Sequence, residues 1–389
     1  MAFRFFPLVI LLALGSLTAQ AQGPAAAATA ASSATPPTLA VTAYDLVDVA
    51  SGQALAGMNA EERRDPASLT KLMTAYLVFA ALRQKQITPS QMVKVSQRAW
   101  KTEGSRMFLD PRMAVSVDEL MRGLIVQSGN DAAVALAELV AGSEEAFVAK
   151  MNDEAARLGL AHTHFANATG LTDPQHWSTA ADLATLASAV IRDYPEYYPL
   201  YSQKEFRYNN ITQPNRNRLL WTDPDVDGMK TGHTEAAGFS LIASARRGER
   251  RLLAVVLGAQ SDSGRASDGQ QLLNWGFQNF DTVRLYQAGK PVTTLRVWKG
   301  RANTVDAGFL ADRYLTLPKG RAADLKITLN ATQPLIAPVA SGQRIGTVTI
   351  HLDERSVAEF PLIALAQVPE ANFLGRAWDS LRLMFNRAK

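Results

Sequence analysis

Ser68-Leu69-Thr70-Lys71 places a hydroxyl three residues before a primary amine. On a helix these two positions share a face, so the Lys71 amine can lie beside the Ser68 oxygen. A serine is a poor nucleophile until a base takes its proton, and a lysine does so when burial or nearby positive charge lowers its pKa. A helix N-terminus adds free backbone N–H groups that can stabilise a developing oxyanion. Alone the pattern says little, because Ser followed three residues later by Lys arises about once by chance in a chain of this size. Ser128-Gly129-Asn130 is a second candidate. Its hydroxyl can relay a proton and its carboxamide can hold an amide, although the tripeptide also reads as a turn and helix cap. Lys230-Thr231-Gly232 is the third and rarest: an amine and a hydroxyl suited to a carboxylate, beside a glycine that lets substrate approach the backbone, or else an ordinary surface strand.

The elements around these residues follow from patterning. Asp65-Pro66 before Ala67 to Leu82 gives a cap, a first-turn proline and apolar residues at helical spacing. Further helices are expected at Val117 to Leu124, Asp131 to Val140, Glu144 to Leu158, Thr179 to Ile191 and Ala266 to Phe280. Strand-like runs enter a turn at Ser51-Gly52 and flank another at Arg247-Gly248 (Gly238 to Arg246, Arg251 to Ala259). The expectation is a two-layer α/β body, an antiparallel sheet with a helical cluster, rather than a doubly wound parallel sheet. From Gly289 to Pro369, the runs Val292 to Trp298, Tyr314 to Leu317, Leu325 to Leu329 and Arg344 to Leu352 alternate with Gly, Pro and Asn turns, the texture of an all-β domain.

The two ends read differently from the body. Arg4, the apolar run Phe5 to Leu14 and Ala19-Gln20-Ala21 have the order of a secretory signal ending at residue 21. Residues 22–37, rich in Ala, Thr, Ser and Pro, read as a linker to a domain spanning 38–288, followed by the β-domain over 289–371 and a terminal helix over 372–389. At 100° per residue that helix gathers Leu374, Ala377, Trp378, Leu381, Phe385 and Ala388 on one face, with Met384 at its edge and Arg382 and Lys389 flanking it. Four basic residues against Asp379 give this tail a net charge of +3, so most of the chain's +4 resides there. A basic amphipathic terminus fits a membrane interface; packing on the β-domain is the alternative. With the charge confined to the tail, no folded basic face is left for a nucleic-acid partner. The absence of cysteine excludes a thiol nucleophile and a thiolate metal site, and His162 and His164 read as structural, so no metal or cofactor is expected.

Taken in order, the three motifs resemble the Ser-x-x-Lys, Ser-x-Asn and Lys-Thr-Gly set of the penicillin-recognising serine enzymes. The nearest resemblance is to the low-molecular-mass penicillin-binding proteins that act as D-alanyl-D-alanine carboxypeptidases. Lys230-Thr231-Gly232-His233-Thr234, Gly264-Arg265, Leu272-Leu273-Asn274-Trp275-Gly276-Phe277, Gly104-Ser105-Arg106-Met107-Phe108-Leu109 and Ala168-Thr169-Gly170-Leu171 also look like that family. The resemblance implies Ser68 as acylated nucleophile, Lys71 as its proton acceptor, Ser128 as relay and Asn130 as holder of the substrate amide. It implies Lys230, Thr231 and Gly232 around the substrate's terminal region, and Arg265, ahead of its helix, on the terminal carboxylate. The backbone N–H groups of Ser68 and His233 would form the oxyanion hole. The implied substrate is a peptidoglycan pentapeptide stem, with β-lactams as covalent inhibitors and the periplasmic face of the inner membrane as location. Three rivals share the motifs. A β-lactamase would need a glutamate to activate water, and none lies between Phe165 and Asp182. The others are a DD-endopeptidase and an inactive peptidoglycan-binding scaffold.

Overall fold

A computed structural model describes residues 34–386. The expected signal segment and most of the linker lie outside the described residues. Chain order begins with β1 (Ala43–Asp48), β2 (Ala54–Met58), a 3-10 turn at Ala67–Thr70 and α1 (Lys71–Arg83). Next come β3 (Met92–Lys94), α2 (Gln97–Lys101), β4 (Ala114–Ser116), α3 (Val117–Ile125), α4 (Asn130–Ala141), α5 (Glu144–Leu158) and α6 (Ala180–Asp193). The hairpin β5 (Glu205–Tyr208) and β6 (Ile211–Pro214), the short α7 (Leu219–Thr222), β7 (Val226–Thr234), β8 (Gly238–Arg247), β9 (Arg250–Ala259) and α8 (Asp262–Asn279) complete this part.

The main sheet is antiparallel with strand order β2-β1-β9-β8-β7. Its central strands alternate between two cores. Ile242, Leu253, Val255 and Leu257 face the cluster formed with α1 and α3 to α6, whereas Leu241, Ala243, Leu252, Ala254 and Val256 face α8. Strands buried on both faces must read as near-continuous apolar runs, which β8 and β9 do. Gly276 explains the Leu-Leu-Asn-Trp-Gly-Phe signature: a Cβ there would stand 2.7 Å from Leu252 and 2.9 Å from Leu46, so glycine lets α8 sit down on the sheet.

Two expectations about elements are corrected. The helix expected from Ala67 is a 3-10 turn through Thr70 and becomes α-helical only at Lys71. Helix α8 starts at Asp262, four residues earlier than expected, because Ser261 caps it by accepting from the Gly264 N–H at 3.0 Å. Arg265 therefore lies in the first turn of α8, not ahead of it.

The rest of the chain forms β10 (Phe280–Tyr286), β11 (Pro291–Trp298), β12 (Thr304–Gly308), β13 (Arg313–Pro318), β14 (Lys326–Ala331), β15 (Leu335–Ile336), β16 (Arg344–Leu352), β17 (Arg355–Ala364) and α9 (Phe373–Asn386). β10 pairs with β13, and the other six make one sheet in the order β14-β16-β17-β12-β11-β15. On α9, Arg376, Asp379, Ser380 and Leu383 are half-buried, and the Asp379 carboxylate accepts from the Lys299 N–H at 2.6 Å. Phe373, Leu374, Trp378, Leu381 and Met384 are exposed. The helix thus rests on the β-domain by its polar side and turns its apolar side outward.

Candidate active site

Asp65 sets the turn that carries Ser68. Its side chain accepts from the Ala67 N–H at 2.7 Å, and Ala67 adopts φ +46, a left-handed conformation held between buried neighbours. In a 3-10 turn, residues three apart eclipse one another, more closely than in an α-helix. Lys71 accordingly stands directly over Ser68, its amine 2.9 Å from the Ser68 oxygen. The same amine lies 2.6 Å from Asn130 Oδ1 and 2.6 Å from the Thr169 carbonyl. Burial, with the Arg216 charge adding to it, draws the Lys71 pKa down from 10.5 to about 7, while Asp131 opposes the shift. A neutral amine has two N–H bonds and one lone pair. Asn130 and Thr169 take the two hydrogens as pure acceptors, which leaves the lone pair for the Ser68 hydroxyl.

The second motif forms a tight loop. Ser128 has φ +64, the Gly129 N–H donates to Gly123 at 2.9 Å and the Asn130 N–H donates to the Ser105 carbonyl at 2.7 Å. The Asn130 side chain also donates to the Glu103 carbonyl at 2.6 Å, which fixes Oδ1 toward Lys71. From β7, the Lys230 amine reaches Ser128 Oγ at 2.9 Å and the Thr231 carbonyl at 2.8 Å. It is fully buried, and burial together with Lys71, Arg216 and Arg265 holds its pKa well below the ordinary lysine value. A Cβ on Gly232 would crowd the Pro66 carbonyl at 3.1 Å and Ala67 at 3.2 Å, so glycine is what brings β7 against the Ser68 turn.

All three motifs meet in one open cleft of about 790 Å³, lined by Ser68, Ser128, Asn130, Thr231, Gly232 and His233, with Arg265 in its wall. The Arg265 guanidinium donates to the Gly232 carbonyl at 2.9 Å and the Ser240 carbonyl at 3.3 Å and is paired with Asp262. Much of its hydrogen-bonding capacity therefore ties α8 to β7 and β8.

Three contributors escaped sequence reasoning. Arg216 lines the cleft, exposed and without an ion-pair partner among the described residues. Its flanking asparagines fix the loop: Asn217 donates to the Gly228 carbonyl at 2.9 Å, and Asn215 Oδ1 accepts from the Asn217 N–H at 3.0 Å. That Asn-Arg-Asn run was the available signal. Thr169 acts through its carbonyl, for which no residue type gives a clue. His176 accepts from the Ala166 N–H at Nδ1, so its Nε2–H faces the Thr70 hydroxyl, 2.8 Å away. The site thus joins a serine oxygen, two amines of depressed basicity, the exposed Arg216 and the buried Arg265 around an open slot. It suits acyl transfer from a substrate with an anionic end.

Comparison with known proteins agrees. Residues 30–261 match the family model described as D-alanyl-D-alanine carboxypeptidase, and residues 280–370 match that of the penicillin-binding protein 5 C-terminal domain. The chain is 45% identical to the D-alanyl-D-alanine carboxypeptidase DacC of Escherichia coli, over 90% of each protein. It is 43% identical to DacA of the same organism, over 90% of this chain and 89% of the relative. The crystal structure of penicillin binding protein 5 from Haemophilus influenzae superposes with a TM-score of 0.84 at 43% identity, covering 87% of this chain and all of the other. The chain therefore belongs to the D-alanyl-D-alanine carboxypeptidase family, as a low-molecular-mass penicillin-binding protein with a penicillin-binding protein 5 C-terminal domain, and is a serine-type D-Ala-D-Ala carboxypeptidase.

Proposed function

We propose that Ser68 is the nucleophile that removes the terminal D-alanine of peptidoglycan pentapeptide stems. Lys71 takes the Ser68 proton as the oxygen adds to the carbonyl of the penultimate D-alanine. The resulting oxyanion is met by the backbone N–H groups of Ser68 and His233, and Asn130 holds the amide on the acyl side. The C–N bond breaks as Ser128, adjoining Lys230, relays to the departing nitrogen the proton that Lys71 took, which releases D-alanine, returns Lys71 to its free amine and leaves an ester on Ser68. Water then adds to that ester, giving up a proton to Lys71, which passes it to the Ser68 oxygen as the ester C–O bond breaks, and the shortened stem leaves with its new carboxylate. Thr231 and Arg265 receive the terminal carboxylate, and Arg216 joins them. A β-lactam follows the first half of this route and remains as a penicilloyl ester.

The observation that carries this reading is the lone-pair count at Lys71: three neighbours, two of which can only accept, and the Ser68 oxygen at 2.9 Å. Mass spectrometry of the penicillin adduct tests it. A single penicilloyl mass on wild type and none on Ser68→Ala is expected; an adduct persisting in Ser68→Ala would sink the assignment.

For location, we read α9 as an interfacial anchor at the periplasmic face of the inner membrane. Among the described residues no helix is long and apolar enough to cross a bilayer. The outward apolar face of α9 and the basic residues in the sequence of the tail support surface attachment instead.

A further inference from the structure

Beyond the cleft wall lies a second cavity, of about 520 Å³, whose lining includes Gln97, Trp100, Arg106, Phe108, Arg112 and Asn209. No step above uses it. Its inner wall is the segment from Ser105 to Leu109, in which burial alternates: Met107 and Leu109 are buried, while Arg106 and Phe108 face out. Asp131 locks that alternation by accepting from the Met107 N–H at 3.0 Å and the Leu109 N–H at 3.1 Å. The Arg106 carbonyl accepts from the Gln213 side chain at 3.3 Å, so the wall is also tied to the rim of the cleft. Phe108 is held at φ +67, a strained conformation for a residue with a side chain, with its ring left in water. Phe108 is 46% exposed and Trp100 41% exposed. Arg112 is paired with Asp110 at 2.6 Å, but Arg106 has no ion-pair partner among the described residues.

Two exposed aromatic faces, a free guanidinium and the amides of Gln97 and Asn209 make a specific combination. The electron-rich face of an aromatic ring attracts the weakly positive C–H groups on one side of a pyranose. Guanidinium and amide groups hydrogen-bond to hydroxyl, acetamido and carboxylate oxygens. The cavity is also at the right reach. The Ser105 carbonyl binds the Asn130 N–H, and Asn130 touches Lys71, so the site begins only a few residue lengths from Ser68. A stem of four to five residues, at roughly 3.3–3.6 Å each when extended, bridges such a gap.

We infer that this cavity is a subsite for the amino-sugar strand that carries the peptide, so that the enzyme reads glycan as well as stem. The inference rests on the carboxypeptidase reading and extends it. Release of D-alanine is to be measured from a free pentapeptide and from the same pentapeptide on a tetrasaccharide, in wild type, Trp100→Ala and Phe108→Gly (glycine keeps the left-handed backbone). Wild type is expected to favour the saccharide-borne substrate at least fivefold in kcat/KM. Each variant is expected to lose that preference and to stay within twofold of wild type on the free peptide and on penicillin acylation. Equal treatment of the two substrates by wild type overturns the inference, and so does a variant that loses activity on both alike. A second readout needs no variant: titration with N-acetylglucosamine tetramer, which has no peptide, should shift the Trp100 indole N–H resonance. A static resonance at millimolar sugar overturns the subsite while leaving Ser68 catalysis intact.

Discussion

In the proposed mechanism Lys71 is the residue on which the chemistry turns. Among the described residues no carboxylate touches its amine, and burial makes the charged form costly. The charged and titratable groups around it are Lys230 and Arg216, which disfavour its proton, Asp131, which favours it, and His176, whose own pKa burial lowers to about 4. His176 is thus already neutral where Lys71 titrates. The free amine is the competent form, so acylation by a fluorescent penicillin should rise about tenfold per pH unit below 7 and level off above it. A flat profile from pH 5 to 9 would show that Lys71 does not take the proton. Lys71→Arg, permanently charged, should slow acylation by roughly 10²–10⁴-fold at every pH. These side chains were legible in the sequence because their identities and short spacings are the chemistry. Thr169 and the Glu103 carbonyl were not, since a backbone oxygen leaves no mark on residue type.

At the scale of elements, the site is a set of turns pressed together at glycines. The loop carrying Thr169 is pinned to α1 by the Thr74 hydroxyl on the Ala168 carbonyl at 2.7 Å, and Asn167 Oδ1 accepts from the Gly170 N–H at 2.7 Å. Gly170 has φ +81, and a Cβ there would fall 1.8 Å from the Ala67 carbonyl and 2.9 Å from Thr70 Oγ1. Gly170→Ala must push the loop off the Ser68 turn. We expect destabilisation of roughly 2–5 kcal/mol, combining about 1–2 for left-handed strain and about 1–3 for overpacking, with acylation down at least tenfold. Gly142→Ala is the control, with φ +83 and open space around it: chemical denaturation should register its strain while acylation stays unchanged. If both variants acylate normally, the Gly170 contact does not position the site. Long periodic elements such as α5 and β9 were readable from pattern. The β5–β6 hairpin was missed although Asn209-Asn210, both at positive φ, is a turn signal of the kind that joins paired strands. Gly264 made the start of α8 look like loop, where the Ser261 cap overrides its low helix propensity.

At the scale of the whole molecule, the catalytic sheet is joined to the β-domain through a polar seam that sequence cannot announce, because its partners lie far apart in the chain. Thr282 donates to the buried Asp48 carboxylate at 2.5 Å, and Gln53 exchanges two bonds with the Thr316 backbone, at 2.6 and 3.2 Å. At the far end, α9 was legible as an amphipath, but not which side it docks; Asp379 on Lys299 decides that and leaves the apolar side free. If α9 is the proposed anchor, the tail's net of +3, at about 1 kcal/mol per basic residue near an anionic surface, would add to the contribution of the apolar stripe. The chain from residue 34 should sediment with vesicles containing anionic lipid at about 0.1 M salt, and a form ending at residue 371 should stay in solution. Raising the salt to about 1 M should weaken the attachment without abolishing it, since screening removes the charge contribution and leaves the buried face. Trp378→Asp should release the protein at either salt concentration while leaving penicillin acylation unchanged, because none of the described residues of α9 lines the cleft. Equal sedimentation of the full and shortened forms would show that α9 is not the anchor and that the exposed stripe serves another contact.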